Sequence, residues 1–487
     1  MTWSQTIWRR VCQFMVRIFY RRFEAVGTDD LPADGPIILC ANHVNALVDA
    51  LVIQAACPRP IHPIARSGLF RNPLLRPILS FIQAVPIYRR HQPRADAGPI
   101  RKMIDQHQAR RGDRNEGSFS KLYELLDEGR VILIFPEGQS HSDPSLRPLK
   151  TGAARLALGH FERTGEPAPV VPIGLLFTAK GRFRAGALVQ VGEPVTFVPQ
   201  TEEDPEAQVR RYTEDIDGAL KQVTLNMESW EDKALMDVLQ RYFHPSLTVP
   251  SESGNEEPLG EQPTLSRRFL SYQRILHVRE TLRPTCPERV ERLRHDLARF
   301  ERLCARYGVR DYHLELNYTP RTVGLWLLRN LLFALFVVPL GLWGLLNSGI
   351  PYYLARKASQ LSARARDHYD TAGMLWGLFF FLLFWGAQTA FVFFTWGSWP
   401  AVAYGASLGV TAGVSLKLGR ERRRILDESR VFWLFVLRRN VKEHLRDRRD
   451  DLEVEVEELA QMARQLERES RAAVDPTAPA SKEATSA

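Results

Sequence analysis

Between residues 36 and 198, short continuous apolar runs alternate with amphipathic stretches. The strand candidates in this region are 36–41, 61–65, 84–88, 131–136, 170–177 and 187–191. The helix candidates lie between them, at 46–56, 73–81, 118–128 and 151–160. Strands that are apolar on both faces must be covered on both faces, and parallel strands need crossover helices. The pattern therefore predicts an α/β fold with a mostly parallel sheet and flanking helices.

The first residues combine apolar and basic side chains at helical spacing. Two tryptophans, Trp3 and Trp8, lie among aliphatic and aromatic residues, and five arginines are interleaved with them before residue 23. A basic amphipathic helix of this composition is typical of a membrane interface. We expect such a helix over 1–25, with a helix packed on its own domain as the alternative.

The remaining organisation follows from composition. The α/β domain would occupy 26–244, and 245–263 is rich in Pro, Ser, Gly and Glu without periodicity, which indicates a linker. A helical segment is predicted over 264–320. Residues 419–487 are predicted to be a basic and then charged helical tail with a disordered end. The leucines of this tail fall seven apart, but the seam is weak for a coiled coil, so packing on its own protein is the alternative.

The region 321–418 is very apolar and predicts membrane helices. Its apolar stretches are 323–350, 374–396 and 400–416. About 20 apolar residues are needed to cross a bilayer, so 374–416 is predicted to be a helical hairpin. Basic residues flank the first stretch on both sides, and such residues prefer the cytoplasm. A re-entrant first stretch, broken near Pro339, would keep every basic segment inside; a spanning helix is the alternative. We expect an integral membrane protein with its α/β domain on the cytoplasmic side.

The net charge indicates which kinds of partner to expect, and the cysteine spacing indicates the state of the thiols. The net charge of +9 favours a lipid membrane with anionic headgroups or phosphorylated ligands. No nucleic-acid recognition motif is found, so we expect no nucleic-acid partner. None of the five cysteines has CxxC spacing, which predicts reduced thiols rather than a zinc site or a disulfide framework.

The stretch "ANHVNALVD" at 41–49 places a histidine and an aspartate between a predicted strand and a predicted helix. An imidazole can take a proton from an alcohol at neutral pH, and a carboxylate can fix its tautomer. In a continuous helix His43 and Asp49 would point in diverging directions. They can meet only if His43 lies in the turn after the strand and Asp49 in the first turns of the helix. Taken alone, this pair is weak support for chemistry, and a capping or packing histidine is the alternative.

Other polar groups follow later strands. Glu137, Gly138 and Ser140 come after the apolar run "VILIFP". Arg89 and Arg90 follow "AVPIY", and guanidinium groups suit phosphate oxygens. Ligands of open α/β sheets bind beyond the carboxyl ends of strands, where all these groups would lie.

In order and spacing, these blocks resemble the glycerolipid acyltransferase family. The blocks are the His–Asp motif, the strand ending in arginine, "FPEGQS", and "VVPIGL" with Pro172. The resemblance implies the fold of that family, with His43 as general base and Asp49 as its partner. It also implies that Arg89 and Arg90 bind the acceptor's phosphate.

The same resemblance implies further site residues and substrates. Glu137, Gly138 and Ser140 would shape the acceptor site, Lys150 would add a cation, and Pro172 would belong to an acyl-donor or structural block. The donor would be acyl-CoA or an acyl carrier protein thioester, the acceptor a phosphorylated glycerol, with no further cofactor and no metal.

One departure from the family pattern is informative. Five residues separate His43 from Asp49, whereas four are common in the family. The longer spacing, together with "NEGSF" at 115–119 and "GIPYYLARK" at 349–357, is similar to the subgroup that acylates glycerol 3-phosphate or dihydroxyacetone phosphate. The alternatives are acylation of 1-acylglycerol 3-phosphate and a non-catalytic membrane lipid-binding protein. A metal hydrolase lacks any supporting ligand spacing, and His62 and His141 are interpreted as structural or rim residues.

Overall fold

The computed structural model describes residues 3–71, 76–87, 117–197, 204–242, 264–315, 319–363 and 368–474. The chain divides into two compact units. The first contains Met1–Asn226, Thr264–Ser266 and Leu354–Phe379, and the second contains Met227–Pro263, Arg267–Tyr353 and Phe380–Ala487. The first unit therefore ends earlier than the domain predicted over 26–244, and it takes in a short segment from the apolar region.

A seven-stranded sheet forms the centre of the first unit. The strands are β1 (Arg22–Val26), β2 (Ile37–Ala41), β3 (Ile61–Arg66), β4 (Val85–Ile87), β5 (Val131–Ile134), β6 (Val170–Phe177) and β7 (Gly186–Val191). Their order across the sheet is β1-β7-β6-β2-β5-β3-β4. The β6–β7 pair is antiparallel, and the other pairs of described strands are parallel. The predicted α/β class with a mostly parallel sheet is confirmed.

Helices cover both faces of the sheet. They are Trp3–Phe19, Leu47–Ala56, Arg76–Phe81, 117–127, Gly152–Thr164 and Pro205–Val223. Alternate residues of β2 enter opposite layers: Ile37 and Leu39 pack with Trp3–Phe19 and Leu47–Ala56, whereas Ile38 and Cys40 pack with the other layer. Burial on both faces explains why the strands read as continuous apolar runs.

Strand β1 was not predicted. Its sequence, "RFEAV", contains two charged residues and directly follows the basic helix. It lies at the edge of the sheet, parallel to β7, where only one side of a strand needs a partner. A half-buried edge strand of this kind lacks the apolar run that identified the central strands.

The N-terminal helix Trp3–Phe19 has two apolar faces. One face, with Cys12, Val16 and Phe19, is buried in the core of the first unit. A second apolar stripe is exposed, formed by Ile7, Val11, Phe14 and Ile18. The helix therefore packs on its own domain, as in the alternative reading, and the exposed stripe leaves its place at a membrane interface as a prediction.

The second unit is helical in its described residues. Its helices before the apolar region are Trp230–Tyr242, Leu265–Leu282, Pro287–Tyr307 and Asp311–Glu315. The helices that follow are Pro320–Ser362, Tyr369–Trp396, Ser398–Leu437 and Arg439–Val474, and the first two of these also contribute to the first unit. In the tail helix Leu459 and Ala463 pack against Leu282, so this helix packs on its own chain.

The helix Pro320–Ser362 continues through Pro339, whereas a break was expected there. The re-entrant course of this stretch and its spanning alternative stay predictions. A proline inside a helix removes one hydrogen bond and its ring collides with the preceding turn. A π-helical turn at Phe333–Val337 ends two residues before Pro339 and widens the helix where that collision would occur.

Three described helices are long and apolar enough to cross a membrane: Pro320–Ser362, Tyr369–Trp396 and Ser398–Leu437. The last two are joined through Gly397, whose φ of 89° lies in a region that glycine adopts without strain. The predicted hairpin over 374–416 thus corresponds to two helices, each longer than the apolar stretch that identified it.

Candidate active site

The turn between β2 and helix Leu47–Ala56 brings His43 and Asp49 together. His43 Nδ1 lies 2.9 Å from Asp49 Oδ2. The histidine side chain is 18% exposed, whereas the aspartate side chain is fully buried. The strand–turn–helix geometry that the spacing required is present: His43 is in the turn and Asp49 is in the first turn of the helix. With Nδ1 bonded to the carboxylate, Nε2 is the nitrogen left to accept a proton.

Asp49 also holds the turn itself. Its Oδ2 atom accepts hydrogen bonds from Val44 N at 2.9 Å and Asn45 N at 2.7 Å, in addition to the imidazole. Three N–H groups thus converge on one carboxylate oxygen. Bonds to a carboxylate are stronger than those between neutral groups, so they fix the ring and the backbone together.

Ala46 closes the turn in a strained conformation. Its φ is 47° and its ψ is −128°, a region that side chains rarely adopt. A residue held there costs about 1–3 kcal/mol and persists only where its surroundings determine it. This backbone reversal allows a histidine and an aspartate six positions apart to face each other.

Glu137 connects the dyad to the turn after β5. Its buried carboxylate accepts a hydrogen bond from His43 N at 2.7 Å through Oε1. Oε2 accepts from Arg147 N at 2.9 Å and from the ring of His141. Glu137 therefore binds the backbone of the dyad's histidine, a contact that its place in the sequence did not reveal.

His141 is a second buried histidine of the site. Its Nδ1 accepts from Asp143 N at 3.1 Å, so Nε2 carries the proton that it donates to Glu137. Its backbone N–H donates to His43 O at 3.0 Å. The interpretation as a structural residue holds, but the structure it supports is the active-site turn, and its position four residues after Glu137 is the signal.

Phe135 supports the dyad from the end of β5. The imidazole of His43 stacks on the Phe135 ring with centroids 4.1 Å apart and planes inclined by 18°. A stacked ring restricts rotation of the imidazole about its side-chain bonds, so Phe135 and Asp49 together define its orientation.

Cationic side chains gather over the Gly138 turn. Gly138 has φ 73°, and a Cβ there would lie 2.7 Å from Lys150 Cε. Arg66 Nη2 donates to Gly138 O at 3.2 Å, and Lys180 Nζ lies 3.4 Å from His141 O. Lys150 was predicted as an additional cation, whereas Arg66 and Lys180 were missed because neither belongs to a recognised block.

Two more of the predicted site residues, Ser140 and Pro172, lie in the part of the chain that the structure describes. Ser140 lies half-buried in the turn between Glu137 and His141. Pro172 lies within β6 beside Cys40 of β2, where the β7 side of the ladder is irregular. Its carbonyl accepts a hydrogen bond from Gly192 N on that side, and a proline within a strand is typical of such an irregularity. Arg89 and Arg90 lie outside the described residues.

The family model described as Acyltransferase matches residues 22–176, a range that contains the His43 turn and the Glu137 turn. This segment is an acyltransferase domain. The acyltransferase segment begins at β1 and ends within β6, one residue before the end of that strand. The match therefore extends to the edge strand β1, which the hydropathy pattern did not identify.

The acyltransferase segment is similar to curated proteins of two kinds. Glycerol-3-phosphate O-acyltransferase 2 of Saccharomyces cerevisiae is 30% identical over 138 residues, 27% of this chain. The match spans 18% of the length of that yeast relative. The 1-acyl-sn-glycerol-3-phosphate acyltransferase of Bacillus subtilis is 28% identical over 171 residues, 34% of this chain and 70% of that protein.

Among solved structures, the chain is similar to the 1-acyl-sn-glycerophosphate (LPA) acyltransferase PlsC from Thermotoga maritima. The two are 19% identical with a TM-score of 0.32, over 45% of this chain and 78% of that one.

Proposed function

We propose that the protein is a membrane O-acyltransferase that transfers a fatty acyl group from a thioester to the hydroxyl of a glycerol phosphate. The observation that carries the proposal is the contact between His43 and buried Asp49 at the carboxyl end of β2. A partly exposed imidazole whose other nitrogen is bonded to a carboxylate is suited to remove a proton from an alcohol.

The reaction requires two proton transfers at His43 Nε2. The imidazole takes the hydroxyl proton as the acceptor oxygen bonds to the thioester carbonyl carbon. The resulting tetrahedral intermediate collapses with cleavage of the carbon–sulfur bond. The proton then passes to the leaving sulfur, so the products are an ester and a thiol. Asp49 stabilises the transient imidazolium throughout.

The acceptor favoured is glycerol 3-phosphate or dihydroxyacetone phosphate. Support comes from the five-residue His–Asp spacing and from similarity to a yeast protein named glycerol-3-phosphate O-acyltransferase. Lys150 and Arg66, together with Arg89 and Arg90 from the arginine block, supply the cations that a phosphomonoester needs.

Acylation of 1-acylglycerol 3-phosphate is the second candidate. It is favoured by the similarity to the Bacillus subtilis protein, of which the match covers 70%. Both acceptors carry a phosphomonoester, so the cations around Gly138 suit either of them.

The acceptor assay separates the two candidates. Purified protein in anionic lipid would be incubated with an acyl-CoA or an acyl carrier protein thioester and each of the three acceptors in turn. We expect ester formation with glycerol 3-phosphate or dihydroxyacetone phosphate. Product from 1-acylglycerol 3-phosphate alone would contradict the favoured acceptor and support the second candidate.

We also propose that the acyltransferase segment faces the cytoplasm. Support comes from Leu354–Phe379, which carries part of the basic loop and belongs to the same compact unit as the active site. Basic loops prefer the cytoplasmic side. A tag in the 351–373 loop should be accessible from the cytoplasmic side. Access only from outside would contradict this orientation.

A further inference from the structure

Asp370 is a buried carboxylate in the first turn of the apolar helix Tyr369–Trp396, and it is 1% exposed. Its Oδ1 atom accepts from Gly181 N at 2.8 Å, and Oδ2 accepts from Tyr20 OH at 3.2 Å. Oδ2 also accepts from Asn45 Nδ2, which donates to Tyr20 OH at 3.2 Å as well. The partners come from three separate parts of the first unit.

A carboxylate at this buried position costs folding free energy. Its partners are two uncharged side chains and a backbone N–H. Burial of a charge without a cation is unfavourable, and apolar residues of similar volume usually stabilise a core at least as well. An ionisable residue at the start of a long apolar helix therefore calls for a role beyond packing.

Asn45 links Asp370 to the dyad. Its backbone N–H donates to Asp49 Oδ2 at 2.7 Å, and its side chain donates to Asp370 and Tyr20. One residue thus bonds to the catalytic aspartate through its main chain and to Asp370 through its side chain. Strained Ala46 is its neighbour, so a turn released from Asp370 would relax away from the dyad geometry.

Tyr20 is held as a hydrogen-bond donor. Burial and the nearby carboxylates of Asp370 and Asp49 raise the pKa of its hydroxyl far above the usual value. It stays protonated at physiological pH, donating to Asp370 while accepting from Asn45. The three side chains form a closed set of hydrogen bonds on the buried side of the active-site turn.

We propose that Asp370 is a positioning residue for acyl transfer: it holds Asn45, and through Asn45 the turn that aligns His43 with Asp49. The first turn of a long apolar helix is then part of the active-site support rather than only an anchor. The inference rests on the proposed function, since alignment matters only if the dyad performs chemistry.

The test compares Asp370→Asn with the neighbouring substitution Thr371→Val in the full chain. Asparagine keeps the shape but replaces one acceptor with a donor, which opposes either Gly181 N or the pair formed by Tyr20 and Asn45. Thr371 Oγ1 is buried and makes no hydrogen bond within the described residues, so Thr371→Val removes a polar atom without removing a contact.

We expect Asp370→Asn to lower kcat ~10–100-fold, because small displacements of a catalytic group have effects of this size. The KM of both substrates should stay within about twofold, since no binding group changes. Thr371→Val should retain the wild-type kcat. In an Asn45→Ala background, Asp370→Asn should cause little further loss, because the link is already cut.

Wild-type kcat in Asp370→Asn would overturn the inference, as would losses from Asn45→Ala and Asp370→Asn that multiply. A loss that only follows the folded fraction, measured by thermal unfolding, would overturn it as well. Hydrogen–deuterium exchange at 43–46 provides a readout that does not depend on activity. Faster exchange in Asp370→Asn than in Thr371→Val supports the positioning, and equal exchange contradicts it.

Other results would contradict the proposed function itself rather than the role of Asp370. If His43→Ala retains full acyl transfer, or if the wild-type protein acylates none of the acceptors, the proposed mechanism is wrong whatever Asp370 does. If His43→Ala is inactive while Asp370→Asn is fully active, only the positioning inference is wrong.

Discussion

At the scale of single residues, the site depends on buried carboxylates that each accept several hydrogen bonds. Glu137 is the clearest case, because its two oxygens accept hydrogen bonds from the backbone N–H of His43, the backbone N–H of Arg147 and the ring of His141. The sequence marked Glu137 by its position after a strand, but the identity of its partners depends on how two loops meet. Such contacts cannot be read from spacing along the chain.

Glu137→Gln should lower kcat ~100-fold and reduce the thermal stability. Glutamine carries one carbonyl oxygen and one amide NH2, so in either orientation the NH2 group faces an N–H donor and a buried donor loses its acceptor. Steady-state kinetics and thermal unfolding provide the measurement. Exposed Glu128, paired with Arg130, offers a control through Glu128→Gln, which should change neither quantity. Equal behaviour of the two variants would contradict the assigned role.

Ala46→Gly should stabilise the protein by about 1 kcal/mol, because glycine adopts a φ of 47° without strain and this gain exceeds its entropic cost. The control is Ala50→Gly in the helix Leu47–Ala56, where the same substitution should destabilise by about 1 kcal/mol. Denaturant unfolding of both variants gives the comparison. A destabilised Ala46→Gly would show that the turn is not strained.

At the scale of elements, the central strands were predictable and the edge was not. The strands β2, β5 and β6 are buried on both faces. Because both faces must be apolar, each of them is a continuous apolar run in the sequence. β1 is half-buried and reads as polar. The apolar helices were also found, but Pro339 suggested a break that the helix avoids by widening one turn. Local signals thus fail where a neighbouring turn can compensate.

Close packing among the apolar helices provides a prediction at this scale. A Cβ on Gly344 would overlap the carbonyl oxygen of Thr411, so Gly344→Ala should force Pro320–Ser362 and Ser398–Leu437 apart. We expect a loss of about 1–3 kcal/mol, seen as a lower unfolding temperature in detergent. Gly349→Ala is the control, since among the described residues its Cβ would contact Leu345 of the same helix, at an ordinary 3.7 Å. Equal unfolding temperatures for the two variants would argue against this packing.

At the scale of the whole molecule, the active-site unit is assembled from distant parts of the chain. Asn45 and Asp370 are 325 positions apart, yet they share a hydrogen bond within one compact unit. The sequence identified the His–Asp dyad because its two members lie on one local motif. It could not identify Asp370, because a lone aspartate at the start of an apolar helix resembles an ordinary helix-start residue.

The central claim is that acyl transfer depends on His43. The most direct measurement is the rate of ester formation from a labelled acyl thioester and glycerol 3-phosphate by the full chain and its His43→Ala variant. His160, whose Nδ1 lies 3.4 Å from Asp127 Oδ1, provides a histidine–aspartate pair away from the turn, and His160→Ala serves as the control. We expect loss of transfer in His43→Ala and retained transfer per folded molecule in His160→Ala. Full transfer by folded His43→Ala would contradict it.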